Sequence, residues 1–149
     1  MPPAFTTEPP VFLGLGAFKH HTYTGGCHCG RVKFDCVAPP PDELVVRECT
    51  CSWCMKRGAL LIYLKSECLT WTKGGWEDLT TYKWNFGQAH HAFCPACGIQ
   101  VGTTFQDVVI INARCIDNFP VDIHDLKQTY FDGKNLIPLA KGDAASESK

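Results

Sequence analysis

Seven of the ten cysteines fall into three tight groups: Cys27-His28-Cys29, Cys49-Thr50-Cys51-Ser52-Trp53-Cys54 and Cys94-Pro95-Ala96-Cys97-Gly98. Thiols this close together suit a metal ion far better than they suit disulfides. The total divides into four and three. Four thiolates close a tetrahedral site and make it structural, whereas three leave one position free for chemistry. Cys94-x-x-Cys97-Gly98 reads as a zinc knuckle, in which two intervening residues let the chain turn around the ion and Gly98 permits the backbone conformation that follows. Cys27 and Cys29, set among Gly25, Gly26 and Gly30, are its natural complement. The four together predict a structural zinc that closes a long loop in a small domain.

Cys49, Cys51 and Cys54 supply three thiolates for a second zinc, giving two Zn²⁺ per chain. The fourth ligand is left open between water, a substrate thiol, His28, His90 and His91. Alternatively, one of Cys36, Cys68 or Cys115 completes a second structural site; otherwise Cys36 and Cys115 read as inward-facing small hydrophobes and Cys68 as a residue at a strand edge. Three thiolates leave Zn²⁺ with a net charge of −1, a weak Lewis acid for activating water. Such an ion is better suited to holding a fourth thiol as its thiolate, since a free thiol has a pKa of about 8.5. The chemistry indicated is a small thiol attacking an electrophile.

The elements that must position these groups are mostly short strands, predicted over 20–24, 31–37, 43–47, 59–64, 68–73, 79–84, 91–93, 99–104, 108–113 and 127–131. They are rich in β-branched and aromatic residues and are punctuated by glycine and proline. Short helices are predicted over 52–57 and 121–126. The fold class is therefore mainly β, with antiparallel sheets tied together by metal and one or two short helices. A length of 149 residues allows one core. We divide the chain into an extended, mobile proline-rich lead-in (1–18), a zinc-binding domain (19–137) and a polar C-terminal tail (138–149).

The net charge is −1; seven ionised thiols would lower it by seven and two Zn²⁺ would restore four, leaving −4. That balance speaks against a nucleic-acid or anionic-membrane binder. No stretch approaches the roughly 20 apolar residues of a membrane span, and 11–18 makes a poor signal peptide. A reducing, cytoplasmic setting is expected, where metal rather than disulfides occupies the thiols.

Several motifs occur together. Gly26-Cys-His-Cys-Gly30 is followed by Val32-Lys-Phe34, and Cys49-x-Cys-Ser-x-Cys54 by Lys56 and Gly58. His91-x-Phe-Cys-x-x-Cys-Gly98 and Ile111-Asn-Ala-Arg-Cys-Ile-Asp117 complete the set. In this order they resemble the glutathione-dependent formaldehyde-activating enzyme family, whose domain also characterises centromere protein V. The resemblance implies a β fold of the kind shared with a Rab-interacting zinc chaperone, and the same division of cysteines between a structural and a catalytic zinc. It also implies a carbon–sulfur lyase similar to S-(hydroxymethyl)glutathione synthase, with glutathione as co-substrate and formaldehyde or another electrophile as its partner. The competing reading is a non-catalytic zinc scaffold or protein-interaction module. A homodimer is compatible with either.

Asn112 and Arg114 are expected to alternate along one strand and so face one side, with Arg114 catalytic or holding a substrate carboxylate. Lys56 and Arg57 adjoin the open site and offer cations to the two carboxylates of glutathione. Trp53 lies inside the open cluster and is the best candidate for a pocket wall. The set Trp53, Trp71, Trp76 and Trp84 suggests a roomier apolar pocket than formaldehyde needs. Of His90 and His91, one is expected to contact the pocket or to make a structural hydrogen bond.

Overall fold

The computed structural model describes residues 4–85 and 87–137. Ten strands occur among them: β1 (His21–Gly26), β2 (Lys33–Ala38), β3 (Val45–Cys49), β4 (Leu61–Lys65), β5 (Leu69–Lys73), β6 (Thr80–Tyr82), β7 (His90–Phe93), β8 (Gln100–Phe105), β9 (Val108–Asn112) and β10 (Lys127–Phe131). Two short α-helices, α1 (Ser52–Arg57) and α2 (Gly133–Leu136), follow β3 and β10. The strands form a three-stranded sheet, β1-β2-β5, and a seven-stranded sheet, β10-β3-β4-β9-β8-β7-β6. All pairs are antiparallel except β10 with β3, where Phe131 lies opposite Cys49.

The two-residue period of β4 and β9 decides how the large sheet is used. Ile62, Leu64, Val109 and Ile111 enter the main core with Tyr23, Phe34 and Cys36 of the small sheet. Leu61, Tyr63 and Ile110 point the other way, into a second cluster that contains Cys49, Cys51 and Cys54. Cross-strand pairing carries that second face across the sheet. Tyr63 lies opposite Ile110, Ile110 opposite Thr103, Thr103 opposite His91, and His91 opposite Tyr82.

The predicted strands all form, with ends displaced for local reasons. β2 begins at Lys33 because the chain between Cys27 and Val32 folds into a turn, closed by Gly30 N–H to Cys27 O and Cys27 N–H to Val32 O (both 3.3 Å). β3 is shifted towards Cys49 because Glu43 and Leu44 both donate to Pro40 O, at 2.8 Å each, which holds the chain in a turn. Residues 52–57 form the expected helix, whereas the one predicted at 121–126 is only a 3₁₀ turn, Ile123–Asp125, capped by Asp122.

Residues 6–13 of the N-terminal segment dock on the large sheet, and Leu15–Ala17 forms a 3₁₀ turn. Thr6 donates to Tyr130 O at 2.7 Å and accepts from Asp132 N–H at 3.0 Å. Leu13 continues alongside β4, exchanging hydrogen bonds with Tyr63 O and Lys65 N–H. It takes this place because β3 and β4 pair only at Arg47 and Leu61. The predicted tail, 138–149, lies outside the described residues. No helix of the described residues is long and apolar enough to cross a membrane.

Candidate metal centre

Cys27 and Cys29 follow the end of β1, in the small sheet, and Cys94 follows the end of β7, in the large one. The four sulfurs of Cys27, Cys29, Cys94 and Cys97 all lie within 4.8 Å of one another. Two of their separations are 3.7 Å (Cys27 to Cys29) and 3.6 Å (Cys29 to Cys94). A tetrahedron with metal–sulfur bonds of about 2.3 Å has edges of about 3.8 Å, so this group fits a zinc-sized ion as it stands. Val32 N–H reaches Cys27 Sγ at 3.5 Å, and Gly98 N–H closes the knuckle on Cys94 O at 2.8 Å. Gly98 has φ +79°, in the left-handed region that favours glycine.

The second group is Cys49, Cys51 and Cys54, all buried, with sulfurs again within 4.8 Å of one another. Cys49 ends β3, Cys51 is the N-cap of α1, and Cys54 lies one turn along that helix. Cys51 N–H donates to Cys49 Sγ and Cys54 N–H to Cys51 Sγ, each at 3.4 Å. Such amide donors favour thiolates. Without a metal, Cys49 and Cys54 donate to Cys51, which holds Cys51 far below the ordinary thiol range. The bond to Cys51 pushes Cys49 up to about 11, and contacts with Cys49 and then Cys51 raise Cys54. A metal binding there takes the cysteines as thiolates and so releases protons.

Among the described residues no fourth ligand joins this group, be it His28, His90, His91, Cys36, Cys68 or Cys115. Cys36 and Cys68 are sealed in the main core, and Cys115 bonds Gln100 O at 3.4 Å. The four-and-three division therefore holds in space.

Beside the three sulfurs lies a cavity of about 420 Å³. Its floor is the second face of the large sheet (Leu61, Tyr63, Ile110 and His91), and Trp53, Trp84, Asn85, Ala89, Phe131, Ile137 and Pro10 complete the walls. His91 does both things expected of the His90–His91 pair, lining this cavity and bonding Thr103 Oγ1 through Nδ1 at 2.9 Å. Burial first, and then the Arg57 guanidinium, holds its imidazole down at about 4.

Arg57 is partly buried. It stacks over Trp53 at 4.4 Å, bonds Gln100 Oε1 and lies in the field of Cys54 and Cys51. Lys56 is exposed on the same turn of α1.

Asn112 and Arg114 depart from the expected shared strand face. β9 stops at Asn112, whose Oδ1 accepts from Arg114 N–H at 3.2 Å and starts a 3₁₀ turn, Ala113–Cys115. Arg114 is exposed, and its Nε donates to Gly58 O at 3.0 Å, bracing the end of α1. Asn112 Nδ2 is spent on Gln100 O at 2.9 Å.

Sequence reasoning passed over Tyr63, Ile110, Phe131 and Gly133. The first two carried a signal in the alternation of 59–64 and 108–113. Gly133 carried none. It opens α2 directly against the cluster, where an added Cβ would lie 2.6 Å from Cys49 Sγ and 2.9 Å from Cys51 N.

Fold and site together define a mainly β protein with one closed and one open cysteine group, each able to hold a metal ion. The family model described as glutathione-dependent formaldehyde-activating enzyme matches residues 22–132, and the chain belongs to that family. Among solved structures, a Rhodobacter sphaeroides protein is 28% identical, with a TM-score of 0.57 over 72% of this chain and 98% of that one.

Proposed function

We propose that this protein is a zinc-dependent carbon–sulfur lyase, similar to S-(hydroxymethyl)glutathione synthase, that joins or separates glutathione and an aldehyde. The observation that carries the reading is the group of three buried cysteines, complete in itself and facing a cavity. Its donor set and sulfur spacing suit zinc, which when bound there would take a thiol as thiolate and keep it nucleophilic.

The surrounding residues support that task. Backbone amides of Cys51 and Cys54 draw charge from two of the sulfurs. Arg57, held against Trp53, offsets the surplus negative charge of three thiolates and a divalent ion. Lys56, free at the surface, and Arg57 offer cations to the carboxylates of glutathione. Asn112 fixes the Gln100 backbone, while Arg114 acts through the end of α1 as a positioning residue. The four-cysteine group joins the small sheet to the large sheet that carries the site and takes no part in the chemistry.

Magnetisation-exchange NMR on the zinc-loaded protein with glutathione and labelled formaldehyde tests the reading. Exchange should exceed the uncatalysed rate and be lost in Cys51→Ser, with the four-cysteine group still loaded. Two bound zincs with neither glutathione binding nor faster exchange would overturn it.

A further inference from the structure

We infer that the electrophile this site takes is a bulky apolar aldehyde, with an aromatic ring or chain of comparable size, rather than formaldehyde; the inference rests on the thiol–aldehyde reading above. An apolar cavity of about 150 Å³ suffices to bind benzene. The cavity beside the three sulfurs is about 420 Å³, room for a substituted ring next to the bound thiol.

Its chemistry points the same way. Leu61, Tyr63, Trp84, Ile110 and Phe131 are among its lining residues, and none of its described lining residues is an acid, a lysine or an arginine. Formaldehyde in water is almost wholly the hydrate, and a diol would surrender its hydrogen bonds to enter such a space. An aromatic aldehyde stays a carbonyl and gains from burial, at about 25 cal/mol per Å² of apolar surface.

The reaction balances without an oxidant. The thiol sulfur forms a bond to the carbonyl carbon, the carbonyl π pair moves to oxygen, and the proton lost by the thiol is matched by one taken up there. RSH and R′CHO give RS–CH(OH)R′.

The test uses zinc-loaded full-length protein and three probes: benzaldehyde with glutathione, formaldehyde with glutathione, and unreactive benzyl alcohol alone. Benzyl alcohol should quench tryptophan fluorescence saturably, and kcat/KM should favour benzaldehyde over formaldehyde by at least about tenfold. Ala89→Phe, which places a ring in the cavity, should cut benzaldehyde turnover and benzyl alcohol binding at least about tenfold more than formaldehyde turnover. Ile110→Phe on the floor provides the same comparison if the first variant does not fold.

Formaldehyde exchange without benzyl alcohol binding or benzaldehyde turnover would overturn the inference and leave the thiol–aldehyde reading standing. Benzyl alcohol binding that the variants weaken, with neither aldehyde turned over, would support the cavity's ligand class and sink the enzyme reading.

Discussion

Gly133 packs so closely on Cys49 and Cys51 that the three-cysteine group tolerates no side chain there. Gly133→Ala should expel the ion from that group alone, taking bound zinc from about two to about one per chain by elemental analysis while the strand circular dichroism is kept. His91 gives a pH signature. Its imidazole is held at about 4 when folded against an ordinary 6.5, so the unfolded chain takes up the proton first as pH falls. The stability tied to neutral His91 is complete above pH 6.5 and drains away towards pH 4, by ~3 kcal/mol at most. Urea unfolding of His91→Gln beside the parent chain at pH 7.5 and pH 5 should show a smaller acid loss in the variant. An equal loss in both would remove His91 as its source.

At the scale of elements, the strands were legible because β-branched and aromatic residues alternate between glycine and proline breaks. The helix expected at 52–57, with Cys51 and Cys54 one turn apart, forms as read. What could not be read was where each strand would lie. Tyr63, Ile110 and His91 are neighbours only through the register of β4, β9, β8 and β7, and that register is fixed by long-range pairing. Arg114 was misplaced for a local reason, since the Asn112 side chain turns the backbone one residue before the apolar pattern ends. The same distinction separates the metal groups. Cys94→Ala breaks the link between two sheets and should cost on the order of 10 kcal/mol, comparable with a whole domain's stability, so that near-ultraviolet dichroism collapses. Cys51→Ala removes a ligand within one sheet and should leave that signal in place.

For the whole molecule, the two groups imply a sequence of losses under a chelator. The three-cysteine group borders a cavity and offers an incoming ligand its fourth position, so its ion should leave first, with the fold intact. Removal of the second ion should coincide with unfolding. Stopped-flow chelation with a zinc dye should resolve two phases, of which only the slower follows dichroism. A single phase tracking unfolding would show that both ions hold the fold.

The N-terminal strap has a consequence for how such a protein can diversify. Residues 6–13 run beside β10 and β4, and through Pro10 they form part of the cavity wall. None of them is a metal ligand or belongs to either sheet's central strands. A stretch of chain that lies outside the matched 22–132 span therefore shapes the cavity beside the three cysteines. Changes in its length or proline spacing would reshape that cavity while every cysteine, and the frame that holds them, stays as it is.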